Sequence, residues 1–453
     1  MATRKDLLKA YGFTSQRLIR ALVDRNPEDM TSPLRRVAMG TFASLMIGVL
    51  MFAAFGIVGW LNPGKTSKWQ KDKTVVVDKT SGGVYAYLED TLYPTYNIAS
   101  AKLATAGGPT VAVTTKSLRT VSELGATIGI PNAPNQLPDP SEMGGFPVRL
   151  CATAPQGSAG RYTTMEIGDA RVPTPAANPT LVVSDDRGGE YLVHDGVAHR
   201  APKTGDRSAL MVDLGFNQVV RPGNAFVRGL PQGSTLDPPT ISRLGKTSSA
   251  RVGGVTAIGT VFQVKGTVAS WYVLLDDGVA PIAGVEARAL QLISRSKVVA
   301  VDSAAISAAQ ASPQQVTAAD LPRDVPQPGQ TATRPDASIC ATWSEPGGPR
   351  LSVDVTDLPT PTAQAKDPNA ADLVKMPPLA GVLMQPDNVA DSAANVSLVT
   401  TGMRYGLADA DARAALGYRD TVVRRFPPQL IELIPQGLAA GQILSIPRAQ
   451  AKS

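Results

Sequence analysis

The sequence predicts a single transmembrane helix followed by an elongated extracytoplasmic domain. That domain is mixed, mainly β with short helices: four β-rich repeats around a central disulfide-closed module. Three observations carry this prediction. Val37–Leu61 is a run of 25 residues without Asp, Glu, Lys, Arg or His. Downstream of it, a β-rich run followed by an Ala-rich helical run recurs. The two cysteines, Cys151 and Cys340, both lie beyond the apolar run.

A bilayer core takes about 20 apolar residues of helix, so residues 37–61 read as the span. A cleaved signal peptide has a shorter apolar region and a small-residue cleavage site. Here the run is longer and closes on Gly-Trp-Leu-Asn-Pro-Gly, which reads as an uncleaved anchor. Trp60 falls where an interfacial aromatic belongs. Ahead of the span, Arg4, Lys5, Lys9, Arg17, Arg20, Arg25, Arg35 and Arg36 face Asp6, Asp24, Glu28 and Asp29. The tail is therefore +4, within a chain that is +6 in all. Bases beside a span stay in the cytoplasm, which places the tail inside and the large domain outside. Lys65, Lys68, Lys71 and Lys73 oppose this without reversing it. The basic tail suits anionic lipid rather than nucleic acid.

Within the tail, residues 4 to 25 read as an amphipathic helix. Leu7, Leu8, Tyr11, Ser15, Leu18, Ile19 and Leu22 fall near one face. Pro27 and Pro33 interrupt the pattern before the span. Thirty-six residues build no core of their own, so Leu7, Leu8, Tyr11, Leu18 and Leu22 are candidate contacts to lipid or to a partner's cytoplasmic domain.

Four repeats are read beyond the span, each expected to carry its own small core. The first is TVVVDKTSGGVYAYLEDTLYPTYNIASAKLAT, from Thr74 to Thr105. The second lies within Leu181 to Phe216, and the third runs from Thr260 to Ile293. A fourth, read as shortened and unusually helical, runs from Val396 to Tyr418. NIASAKLAT, IAGVEARALQL and LADADARAALGY align best, and Gly or Asp marks each reversal.

Two Pro/Gly-rich stretches, Ile130 to Pro147 and Pro313 to Asp336, lead into Cys151 and Cys340. Proline density forbids long helices or central strands there. Outside the cytoplasm, cysteines pair more often than they stay free. A bridge would close a loop of about 190 residues, stabilising by on the order of 5 kcal/mol on the chain-entropy argument. The alternative is two buried thiols. The expected divisions are 1–36 for the tail, 37–61 for the span and 62–130 for the first repeat. A connector and part of the central module take 131–175; the second and third repeats take 176–230 and 231–310. The Pro-rich connector and the rest of the module take 311–395, and the fourth repeat and C-terminal tail take 396–453.

Catalytic patterns are sparse. Residues 59–66 fit the phosphate-loop string G-x-x-x-x-G-K-[ST], with Gly59, Gly64, Lys65 and Thr66 as its fixed positions. A phosphate loop works because a strand leads in and a helix follows. Here Gly59 lies inside the predicted span, so the match reads as coincidence. His194 and His199 read as solvated turn residues, and Asp195 as pointing away from His194 on a strand. No metal site and no cofactor are expected. The double acids Asp185-Asp186 and Asp276-Asp277 read as turn formers at corresponding repeat positions. Phe262, Trp271 and Tyr272 are candidates to stack on sugar, against ordinary burial in a core.

Taken together, these segments resemble the EccB family, the single-pass core component of the actinobacterial type VII secretion system. The likeness runs nearly end to end. It includes the basic tail, Trp69 through VYAYLEDTLYPTYNIASAKL, Thr115 to Leu118, and IGIPNAPNQLPDP up to Cys151. It continues through Cys340-Ala341-Thr342-Trp343, GMRYGLADADARAALGY and FPPQLIELIPQG. The resemblance implies a periplasmic domain of four β-rich repeats around a disulfide-closed module. It also implies a membrane complex with EccC, EccD, EccE and further copies of the chain, and contact with the mycosin protease. The expected function is structural: an anchor and scaffold on the extracytoplasmic side of a secretion channel. The rivals are an extracytoplasmic ATPase or nucleotidase and a cell-wall-binding module.

Overall fold

Two helices open the chain in the computed structural model. Helix α1 (Arg4–Val23) starts at Thr3, whose N–H and hydroxyl both donate to the Asp6 carboxylate. Helix α2 (Pro33–Leu61) is continuous. Pro33 opens it, at a position where a missing N–H costs nothing. Within α2, Val37–Ile57 is long and apolar enough to cross a membrane. The structure describes residues 3–23, 33–61, 67–153, 161–173, 175, 178–202, 208–266, 270–295, 298–328, 338–344, 348–356, 358–390, 392 and 395–451.

The β-rich region repeats one plan. The first copy has β1 (Thr74–Asp78), β2 (Val84–Leu88), β3 (Thr91–Pro94), α3 (Ile98–Ala104), β4 (Thr110–Val113) and α4 (Thr115–Leu118). After β5 (Val148–Thr153) and β6 (Tyr162–Ile167) comes the second copy: β7 (Leu181–Ser184), β8 (Glu190–His194), β9 (Val197–Arg200), α5 (Ala209–Asp213) and α6 (Asn224–Gly229). A hairpin, β10 (Thr247–Val252) with β11 (Val255–Ala257), precedes the third copy. That copy has β12 (Val261–Val264), β13 (Ser270–Leu274), β14 (Val279–Pro281), α7 (Gly284–Ser294), β15 (Val298–Val301) and α8 (Ser303–Ser307). Then come β16 (Ile339–Trp343), β17 (Arg350–Val353) and β18 (Leu373–Lys375). The last copy has β19 (Gly381–Pro386), β20 (Ser397–Thr400), β21 (Met403–Gly406), α9 (Ala410–Ala415), β22 (Val423–Phe426) and α10 (Pro428–Glu432), and α11 (Ile446–Gln450) follows it.

The strand orders are β3-β2-β1-β4, β14-β13-β12-β15 and β21-β20-β19-β22. Each is a meander whose first strand also pairs with a strand returning after a helix. Where the register is given, in the third and fourth copies, this last pairing is parallel. The second copy keeps the meander β7-β8-β9, and a single parallel bridge, Val183 to Val220, stands in for its fourth strand. The fourth copy is therefore not shortened. Its interior strand β19 comes from residues ahead of the helical signal that makes its sequence stand out.

A second recurrence closes each copy. The outer strand of each meander takes one parallel bridge from a later segment: Leu92 to Leu124, Ala198 to Gln232, Val279 to Ala311, Arg404 to Gln436. In three copies the next residue of that segment is glycine, seated under the ring that follows the bridged residue. A Cβ on Gly125 would lie 2.4 Å from the Tyr93 ring, on Gly233 2.4 Å from the His199 ring, and on Gly437 2.2 Å from the Tyr405 ring. The third copy has Ala280 and Ser312 in these two places. It lacks the ring and needs no glycine. Tight turns also recur: Glu89-Asp90, Asp195-Gly196 and Thr401-Gly402 join the second and third strands with both residues at positive φ, the geometry that suits strand twist.

The chain divides into two units, one of residues 1–70, 77–83 and 111–122, the other of 71–76, 84–110 and 123–453. Inside the second unit cores are shared between copies, which corrects the expectation of one small core per repeat; the third copy alone also keeps a cluster of its own around Val261, Trp271, Val273 and Leu290. Ala86, Ala99 and Leu103 of the first copy lie in one cluster with Leu398, Tyr405, Leu416 and Tyr418 of the fourth. Val182, Leu192 and Met211 of the second lie with Val285 and Ala289 of the third. A single short helix and sheet bury too little apolar surface alone, and each copy finds the rest on a neighbour.

Candidate functional site

The central module is a five-stranded sheet of order β17-β16-β5-β6-β18. Its strands come from two chain segments separated by the second and third copies. Strands β5 and β16 run antiparallel with Cys151 opposite Cys340, their Cα atoms 4.1 Å apart, and the two form a disulfide. Both are almost fully buried, at 1 % and 0 % exposure. Period-two alternation puts Leu150, Ala152, Met165, Ile339, Ala341 and Trp343 on the other face, in the largest apolar cluster. That cluster also takes in Val183 and Val193 of the second copy and Val382 and Phe426 of the fourth.

The disulfide face is polar beside the bridge. Thr342, Arg149, Glu166 and Lys375 stand directly opposite one another across four strands. Arg149 donates to Glu166 through Nε (2.7 Å) and through an Nη, and Lys375 Nζ lies 3.9 Å from the same carboxylate. Arg149 and Glu166 are nearly buried, so each charge depends on the other. Bridge and ion pair together hold the two segments in register.

The first connector is fastened from the fourth copy. Tyr418 donates its hydroxyl to the Pro138 carbonyl at 2.9 Å, and Phe426 stacks on Phe146 with ring centroids 4.6 Å apart. Burial pushes the Tyr418 hydroxyl pKa well up, so it stays a donor. The second connector binds the third copy: Thr317 donates to Glu286, and Gly284 N–H bonds the Arg323 carbonyl at 2.9 Å. Burial raises the Glu286 pKa.

The remaining candidates fall as follows. Leu7, Leu8, Tyr11, Leu18 and Leu22 are all exposed on α1. Gly59 is inside α2, so a helix rather than a strand leads into the phosphate-loop string. Gly64, Lys65 and Thr66 lie outside the described residues. Trp60 is in the last turn of α2, and its side chain is likewise outside them.

The histidines are not turn residues. His194 ends β8, with Nδ1 2.8 Å from Thr180 Oγ1. His199 is on β9, 1 % exposed, with Nδ1 donating to the Ser234 carbonyl at 2.9 Å. It fills the slot of Tyr93 and Tyr405. Asp195 does not point away: its left-handed turn brings Oδ2 to 3.6 Å from His194 Nε2. The double acids are not equivalent either. Asp185-Asp186 lies between β7 and β8, the first hairpin, whereas Asp276-Asp277 lies between β13 and β14, the second. Phe262 and Trp271 are buried in the third copy's core, and Tyr272 packs against it. Among the described residues, no group of three or more His, Cys, Asp or Glu is placed to hold a metal.

Fold and module define a membrane-anchored repeat protein closed around a disulfide-bonded sheet. The family profile described as "Type VII secretion system ESX-1, transport TM domain B" matches residues 1–443. The chain belongs to that family, EccB. A relative from Mycolicibacterium smegmatis, named ESX-1 secretion system ATPase EccB1, is 26 % identical over 96 % of this chain and 93 % of its own length. The Mycobacterium tuberculosis H37Rv protein of the same name is 27 % identical over 76 % of this chain and 72 % of its own. Among solved structures, a chain of an intact ESX-5 inner membrane complex matches with TM-score 0.61 and 22 % identity, covering 100 % of this chain and 96 % of that one. The EccB3 dimer from the ESX-3 core complex matches with TM-score 0.62 and 21 % identity, over 83 % and 99 %. Both share the fold.

Proposed function

We propose that this chain is a structural component of a type VII secretion membrane complex, anchored by α2 and scaffolding the extracytoplasmic side of the channel. The observation that carries this reading is the sharing of cores: the first copy packs with the fourth and the second with the third, and the module binds two distant chain segments covalently. Such a body holds partners at fixed spacing. The basic tail supports a cytoplasmic N-terminus and an extracytoplasmic repeat domain. The chain divides functionally into tail, span, four repeats and central module. Its partners are EccC, EccD, EccE, the mycosin protease and further copies of itself, and the exposed row on α1 is a contact needed for assembly.

The ATPase reading has the names of the relatives in its favour. Against it stands Gly59 within α2, where phosphate-binding geometry needs a strand. The wall-binding reading loses Phe262 and Trp271 to the core. The test is mild-detergent purification of the tagged full chain from its own membrane, with identification of the co-purifying proteins. Recurrent recovery of the same membrane partners supports the scaffold; a lone chain refutes it. Lys65→Ala is expected to leave recovery and secretion near normal. Secretion lost together with ATP binding, at normal protein level, establishes the ATPase instead.

A further inference from the structure

Helix α1 carries two opposed faces. On one, Leu7, Leu8, Tyr11, Leu18, Ile19 and Leu22 are 44–78 % exposed. On the other are Lys5, Lys9, Gln16 and Arg17, all exposed. Phe13, off the apolar row, is 66 % exposed, and the Arg17 guanidinium lies 6.0 Å from its ring centroid. The helix sequence holds five bases and one acid, Asp6, which is already engaged by Thr3. A one-sided apolar row backed by positive charge is the pattern of a helix that lies in a headgroup layer.

Chain length supports the same surface. Nine residues, 24–32, separate α1 from α2. At about 3.5 Å per residue they reach at most ~35 Å, so α1 stays beside the bilayer that α2 enters. Bases near an anionic leaflet each strengthen binding on the order of fivefold. A protein groove would cover the leucines but gives no reason for the excess of positive charge opposite them.

We propose that α1 docks on an anionic lipid surface, with the Leu7–Leu22 row in the headgroup–acyl boundary and Lys5, Lys9 and Arg17 at the phosphates. This deepens the scaffold reading, which supplies the membrane setting and leaves open what covers the row.

The test uses the full chain, disulfide intact, in nanodiscs of phosphatidylcholine with or without phosphatidylglycerol. A nitroxide is placed on Leu18→Cys and, in a separate protein, on Gln16→Cys. Relaxation by oxygen and by a water-soluble nickel complex reports depth. With phosphatidylglycerol, the label at 18 is expected to be oxygen-accessible and shielded from nickel, and the label at 16 the reverse. The contrast is expected to fall several-fold without phosphatidylglycerol, and in Lys5→Gln/Lys9→Gln/Arg17→Gln. Equal nickel access at 16 and 18 in the anionic discs overturns the proposal. So does a label at 18 that is shielded only in the purified secretion complex, which assigns the row to a protein partner. Nanodiscs expose both leaflets, so the outcome is independent of orientation. Loss of co-purifying partners with the lipid contrast intact would count against the scaffold reading alone.

Discussion

Gly437 is fixed by the ring above it rather than by its own backbone. A methyl group there meets Tyr405 at 2.2 Å, so Gly437→Ala is expected to cost about 1–3 kcal/mol, the usual range for overpacking. The third copy, with Ala280 and Ser312 in the two slots, shows the compensating solution. Gly437→Ser with Tyr405→Ala is therefore expected to cost less than the two single changes added together. A double-mutant cycle on thermal unfolding measures that coupling, and strict additivity contradicts the pairing. A second residue acts through charge. Asp78 is buried and accepts bonds from the Thr80 N–H and from the Ser81 and Thr115 hydroxyls. Chiefly through Thr80 and Ser81, its pKa is held at about 2. The folded value lies below the unfolded one of about 3.9. The stabilisation is thus complete above pH ~4 and disappears as pH falls toward 2. Melting temperatures between pH 5 and 2 should fall less steeply in Asp78→Asn than in the parent; identical slopes would remove Asp78 from the account.

At the scale of elements, β5 and β16 depend on the bridge because almost 190 residues of other structure separate them (sequence separation 189). Replacing both cysteines, as in Cys151→Ala/Cys340→Ala, removes the constraint on the unfolded chain, worth up to about 5 kcal/mol. The expected result is a large drop in melting temperature with the sheet still formed below it. The strands keep their ladder, and Arg149 still meets Glu166. Since both sulfurs are buried, the native protein should resist thiol labelling under mild reductant until it unfolds. Ready labelling of the folded protein would contradict the burial. Short helices here rely on caps in the same way. Asn97 and Asp409 start α3 and α9 from equivalent positions, accepting from Ser100 N–H at 2.8 Å and Ala412 N–H at 2.7 Å, each worth about 1 kcal/mol.

For the whole molecule, shared cores turn four repeats into a cooperative body. Helix α3 packs on α9 and α11, and Gln450 donates to the Ala104 carbonyl at 2.9 Å, joining the chain's last helix to its first repeat. A chain cut before residue 381 loses more than half of that cluster and uncovers Ala86, Ala99 and Leu103. It is expected to expose apolar surface, bind a hydrophobic dye and digest rapidly in the first repeat as well as at the cut end. A protease-resistant first repeat in the truncated protein would show that the copies fold independently after all. Reduction of the bridge is likewise expected to give one transition involving the fourth copy, because Val382, Met384 and Val399 sit in the central module's own cluster.

Much of this was legible without coordinates. The span, the tail helix, the mainly β repeats and the pair of cysteines all rest on local signals: uncharged length, helical or alternating period, turn residues and count. Such signals act between neighbours in the chain, and the sequence by itself determines them. What it did not determine is who packs on whom. His199 looked like a turn residue because its partners, Gly233 and the Ser234 carbonyl, lie about 35 residues away in the chain. The fourth repeat looked short because β19, its interior strand, is an ordinary apolar run until β20 and β22 flank it. The double acids looked equivalent because spacing alone cannot say which hairpin a turn closes. The tertiary structure decided these points, and it decided that first pairs with fourth and second with third. An apolar face names no partner of its own: burial is non-directional, and only the closed fold fixes which two faces meet.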